Sequence, residues 1–131
     1  MRLLLDTHIW LWSLLEPPKL GRRVLRVLRA EATELWLSPV SIWEFLVLVE
    51  RGRIALGSDP QDWLDRALAT APMFEAPLTH DIARESRRLS LPHEDPADRF
   101  LAATAKVLEL TLVTADERLA SSGEIEVMRN R

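Results

Sequence analysis

Residues 2–8 read RLLLDTH, and this stretch decides the fold. Three consecutive leucines with no polar alternation describe a short strand covered on both faces, as in a parallel sheet packed between helices. The run stops at Asp6, and in sheets of that kind ligands gather at the carboxyl ends of the strands. A carboxylate in that place stands where a site would be.

Working outward, HIWLWSLLEPP reads as a helix ended by its prolines. RRVLRVLRAEA (22–32) then places Val24, Leu25 and Leu28 on one face and Arg22, Arg26 and Arg29 on another. ELWLS (34–38) is a second strand. Ser38-Pro39 resembles an N-cap with proline at the first helical position, which predicts a helix over 39–52. Asp59-Pro60 repeats the signal, MFEAP (73–77) is a third strand, and Thr79 caps a helix beginning at His80. Asp95-Pro96 opens a helix running to Leu108, LTLVT (110–114) is a fourth strand, Asp116 begins a short helix, and EIEVM (124–128) is a last edge strand. Strands alternating with helices predict an α/β domain with a mostly parallel sheet of four to five strands, because parallel neighbours need crossover connections.

The 131 residues suit a single domain spanning 1–131, and 47% hydrophobic with 28% charged residues is the composition of a folded chain. With no cysteine, disulfides, thiolate catalysis and Cys-based zinc sites are excluded. The opening apolar run is too short for a secretory signal and no stretch is long enough to cross a bilayer, so a cytoplasmic protein without a membrane partner is expected. A net charge of −3 argues against a globally basic nucleic-acid coat but leaves room for a local phosphate-binding patch.

Four acids stand in awkward places. Asp6 ends a strand, where an aspartate also starts turns or caps helices. Glu44 is the only charge between Pro39 and Val49, on a helix apolar most of the way round and therefore expected to be sandwiched in the core. A carboxylate there must be paired or metal-bound, the plain alternative being an ion pair with an arginine. Asp98 borders the apolar arc of its helix, near Ala102 and Ala105, while Asp95, Arg99 and Lys106 share the opposite side. Asp95 reads as a plain N-cap, and Asp98 in the first turn also suits the helix dipole. Asp116 follows its strand as Asp6 follows its own, with an N-cap as the alternative, and Thr114 could orient a carboxylate or water. If parallel topology brings the four together they repel one another, and Mg²⁺ or Mn²⁺, hard cations that favour oxygen ligands, would neutralise them.

LLLDTHIWLW, SPVSIWEFLVLVERGRI, HEDPADRFLAATA and LTLVTADERL resemble, in order and spacing, the four blocks of PIN-domain ribonucleases, most closely the VapC toxins of bacterial toxin–antitoxin pairs. The resemblance spans essentially the whole chain and is thinnest over 53–93. It implies a PIN-like three-layer α/β/α sandwich and a metal-dependent endoribonuclease, the toxin of a type II toxin–antitoxin system. It also implies a homodimer, a cognate antitoxin partner and an RNA substrate. By that resemblance Asp6, Glu44, Asp98 and Asp116 form the catalytic, metal-binding site for Mg²⁺ or Mn²⁺.

His8, His80 and His93 have no metal-ligand spacing and are left out of the core site. Arg22, Arg23, Arg26, Arg51, Arg53, Arg87, Arg88 and Arg99 are candidates for the RNA backbone. The five tryptophans, Trp10, Trp12, Trp36, Trp43 and Trp63, suit a core or a protein interface. Two rival readings stay open: an Asp6-nucleophile phosphatase or phosphotransferase, for which Lys19 and Lys106 are poorly placed, and a non-catalytic binding domain.

Overall fold

The computed structural model describes residues 1–92 and 94–131. Five strands, β1 (Arg2–Leu5), β2 (Glu34–Leu37), β3 (Phe74–Glu75), β4 (Thr111–Thr114) and β5 (Val127–Arg129), form one sheet in the order β3-β2-β1-β4-β5. Every pairing is parallel. The helices between them are α1 (Thr7–Leu15), α2 (Arg22–Arg29), α3 (Pro39–Glu50), α4 (Pro60–Thr70), α5 (His80–Arg88), α6 (Pro96–Leu108) and α7 (Glu117–Ala120).

The leucine run is central, and its side chains divide between two layers. Leu4 joins Leu112 of β4 in a cluster with Ile82 of α5, with Leu101 and the alanines of α6, and with Leu119 of α7. Leu3 and Leu5 face the other way, with Val113, Ile9 and Trp10 of α1, Val24 of α2, Phe45 of α3 and Leu64 of α4. Both faces of β1 are thus apolar, which is why its sequence shows no alternation.

Local chemistry sets the element ends. Pro17 and Pro18 stop α1 and start a single 3₁₀ turn, Pro17–Lys19. Ser38, Asp59, Thr79, Asp95 and Asp116 all cap their helices through side-chain oxygens. The third strand shrinks to two residues because Pro72 and Pro77 flank it and have no N–H to donate. The last strand lies a few residues later than the sequence predicts.

Chain order gives the sheet a reversal. It proceeds outward from β1 to β2 to β3, then returns to place β4 on the other side of β1. Ligand crevices form at such a switch point, outside the carboxyl ends of the strands. The residues that follow β1 and β4 are Asp6 and, two beyond Thr114, Asp116.

Two expectations are corrected. On α3 only Val40, Ser41 and Phe45 are buried and Trp43 is 58% exposed, so the helix is not sandwiched in the core. Ile42, Leu46, Leu48 and Val49 are only partly buried and Trp43 is left exposed, a difference that apolar periodicity cannot register. On α6, Arg99 is buried rather than on a solvated face. Its guanidinium donates to the Ser86 and Leu89 carbonyl oxygens at 2.8 and 2.6 Å, pinning the end of α5 to α6.

Candidate active site

Asp6 occupies the N-cap position of α1, but its side chain makes no cap hydrogen bond. Instead its Oδ2 accepts the Thr114 hydroxyl at 2.6 Å, between neighbouring strands. Thr114 Oγ1 in turn accepts the backbone N–H of Asp116 at 3.0 Å. The plain capping role is therefore absent at Asp6, the aspartate that is buried among the described residues. Burial pushes the Asp6 carboxyl above its ordinary range, with the Thr114 hydroxyl and nearby His8 pulling back and Asp116 adding to the rise.

Glu44 sits half-buried on α3 and accepts the Thr7 hydroxyl at 2.6 Å. No ion pair to Glu44 is seen among the described residues, so the arginine-paired alternative has no support. Burial raises its carboxyl, and the charges of Asp6 and Asp95 raise it further. Asp98, in the first turn of α6, shows the crowding most directly. Burial and then the charges of Asp6, Asp95, Glu44 and Asp116 push it up to about 7. Ala102, Ala103 and Ala105 are fully or almost fully buried, and their small side chains let α6 pack closely.

Asp116 is both neighbour and cap. Its Oδ1 accepts the Arg118 N–H at 2.9 Å, and Arg118 Nη2 lies 3.2 Å from Oδ2. Structure thus brings Asp6, Glu44, Asp98 and Asp116 within electrostatic reach of one another. Among the described residues, however, no three His, Asp or Glu side chains stand close enough to share an ion as they are. Donor chemistry still fits a hard divalent cation: all-oxygen ligands, mutually repelling, on different elements. Mg²⁺ keeps several waters and needs only one or two direct carboxylates, so a closed cage is not required.

A PIN domain model matches residues 3–124. The chain belongs to the PIN domain family. It is 32% identical over 121 residues to Ribonuclease VapC22 of Mycobacterium tuberculosis, covering 90% of this chain and 89% of that protein. Among solved structures, DNA-bound VapBC from Salmonella typhimurium superposes with a TM-score of 0.76 at 14% identity, covering 100% of this chain and 99% of that one. VapBC2 from Rickettsia felis, bound to a promoter DNA fragment, gives 0.75 at 18% identity and 98% coverage of both chains. At those identities the likeness is one of fold, and the parallel five-stranded sheet between two helical layers is the PIN domain architecture.

Within this PIN domain several participants escaped the sequence reading. Arg118 was not among the candidate cations, although its place two residues after Asp116 marks it. Asp95 acts as the expected N-cap, accepting from Ala97, yet its charge also bears on Asp98 and Glu44. Thr7 and Ser41 carry no local signal at all, since their partner is distant in sequence. Of the histidines, His8 is exposed beside Trp12 at a ring distance of 5.8 Å, His80 opens α5, and His93 lies outside the described residues. No helix among the described residues is long and apolar enough to cross a membrane.

Proposed function

We propose that this chain is a metal-dependent endoribonuclease and the toxin of a type II toxin–antitoxin pair. The observation that carries the reading is that Asp6, Glu44, Asp98 and Asp116 come within electrostatic reach of one another at the switch point of a PIN-domain sheet, with burial first and then the neighbouring acids pushing Asp98 up to about 7. The name of the 32% identical relative, a ribonuclease, supports the same activity. Both apolar layers share one sheet, which supports reading residues 1–131 as one domain.

Asp6, Glu44, Asp98 and Asp116 would hold Mg²⁺ or Mn²⁺. A divalent ion there supplies an acidified water and offsets the negative charge that develops on the phosphodiester. Thr114 keeps Asp6 aimed from the strand end, and Thr7 holds Glu44. Arg118, 61% exposed in its side chain, is placed at the rim to meet a phosphate. No histidine base is required. Substrate RNA makes the cytoplasm the natural compartment.

Protein partners are supported by uncovered apolar surface. Trp43 is 58% and Phe74 55% exposed, and an apolar cavity of about 450 Å³ is lined by Phe74 with Pro39, Ile42, Leu68 and Met73 among others. None of the four acids lines it. Such surface suits a homodimer and an antitoxin, and structural neighbours include a toxin-antitoxin complex from Klebsiella pneumoniae. The phosphatase reading finds no lysine, since Lys19 pairs with Glu16 and Lys106 with Glu85.

The test is cleavage of RNA by the purified chain with Mg²⁺ or Mn²⁺. EDTA should stop it, added metal should restore it, and Asp6→Asn or Asp98→Asn should lower it on the order of 10²-fold or more with circular dichroism unchanged. Cleavage that persists in EDTA and in Asp6→Asn would overturn the assignment. Growth arrest on induction, relieved by co-expressing a small DNA-binding protein from the adjacent reading frame, tests the toxin role.

A further inference from the structure

We infer that Ser41 and Thr7 form a hydroxyl relay that positions Glu44 as a metal ligand; this rests on the nuclease reading above and adds two positioning residues to it. Thr7 opens α1 and Ser41 lies in the first turn of α3, three residues before Glu44 and so on the same side of that helix. Both are fully buried, at 0% exposure. Thr7 Oγ1 lies 2.6 Å from Glu44 Oε1 and 2.8 Å from Ser41 Oγ.

A threonine hydroxyl has a single proton, so it can donate to only one of these neighbours. The shorter contact falls in the range of a hydroxyl donating to a carboxylate, which assigns the Thr7 proton to Glu44. The longer contact is then filled by Ser41 donating to Thr7. Direction is thus set along the chain from Ser41 through Thr7 to Glu44, and each donation strengthens the next.

A purely structural link between α1 and α3 would not need hydroxyls, because apolar groups of similar shape could fill the same space without a desolvation cost. The hydroxyls end on the one carboxylate of α3's apolar stretch. They occupy one lone pair of Oε1 and hold the side chain in one orientation, in which the carboxylate would serve as a metal ligand. Thr7 directly follows Asp6, so consecutive positions serve two acids: Asp6 is held by Thr114, and Glu44 by Thr7.

Mn²⁺ binding to the RNA-free protein, followed by the electron paramagnetic resonance of the free ion, tests the relay. Thr7→Val should weaken Mn²⁺ binding about 10–100-fold, the usual cost of losing an outer-shell partner. Thr7→Ser, which restores the hydroxyl, should return affinity to within a few-fold of the parent, and Ser41→Ala should fall between. A merely structural pair would lower the urea midpoint of Thr7→Val while leaving Mn²⁺ affinity where it was. That result, or a Thr7→Ser protein as weak as Thr7→Val, overturns the relay. Should Thr7→Val fail to fold, Ser41→Ala decides by the same measurement, and parental affinity in it counts against the proposal. A parent protein that neither binds Mn²⁺ nor cleaves RNA overturns the nuclease reading and the relay together, whereas a parent that does both, with variants unchanged, removes the relay alone.

Discussion

Thr114 Oγ1 donates to Asp6 Oδ2 at 2.6 Å, joining residues 108 positions apart across the point where the sheet changes direction. The pairing register makes this contact almost unavoidable. Leu5 stands opposite Val113, the Asp6 N–H donates to the Val113 carbonyl at 3.0 Å, and the next residues along are Asp6 and Thr114. The hydroxyl also receives the Asp116 N–H, so one side chain organises two of the acids.

Replacing Thr114 by valine keeps the shape and removes that hydroxyl. Metal affinity and RNA cleavage should fall about 10–100-fold, while Thr114→Ser keeps most of both. Calorimetric Mg²⁺ titration beside an RNA cleavage assay separates this outcome from simple unfolding, and equal metal affinity in the valine variant would show that Asp6 needs no such partner.

Asp98 gives the metal-free protein a pH dependence whose sign follows from its position. Its carboxyl is pushed up to about 7 in the folded chain against an ordinary 3.8. Between those values the native state holds a proton that the unfolded chain has released, so the stability that Asp98 contributes is fully present below about pH 4 and is lost as pH rises through about 7. In EDTA, melting temperature should therefore drop between pH 5 and pH 8. Asp98→Asn should flatten that slope and melt about 2–6 °C higher at pH 8. An identical slope in both proteins would mean that the crowding does not act on Asp98.

Arg99 is expected to matter for stability and not for RNA. Its buried guanidinium serves the Ser86 and Leu89 carbonyls, and Arg99→Met leaves both without that donor. Urea unfolding should register a loss of about 2–5 kcal/mol. Below the melting transition the Michaelis constant for RNA should stay near that of the parent; a rise of tenfold with unchanged stability would place Arg99 among the substrate contacts instead.

Gly21 is needed for space. A Cβ on it would lie 1.7 Å from the carbonyl carbon of Arg131, whose oxygen accepts the N–H groups of Arg23 and Val24 at 3.1 and 3.3 Å. Asn130 completes the clasp, accepting from the Gly21 N–H and donating to the Lys19 carbonyl. Gly21→Ala should therefore displace the segment after β5 and uncap α2, at a cost of about 1–3 kcal/mol. Faster amide exchange at Arg23 and Val24 is the specific sign to look for.

Sequence by itself determined the class of fold and singled out the candidate acids. Local physics is enough for that: the unbroken leucines of β1 announce a strand covered on both faces, Ser38-Pro39, Asp59-Pro60 and Asp95-Pro96 announce helix starts, and Glu44 stands alone in an apolar helix. Tertiary structure alone decided what each polar group touches. Burial of Arg99 depends on the Ser86 and Leu89 carbonyls, 13 and 10 positions away, exposure of Trp43 depends on what the rest of the fold leaves uncovered, and the Thr7 to Glu44 contact spans 37 positions. Periodicity reports which residues share a face of one element. It carries no information on whether another element arrives to cover that face, because that is settled by strand order, and strand order is what set Asp6 beside Thr114.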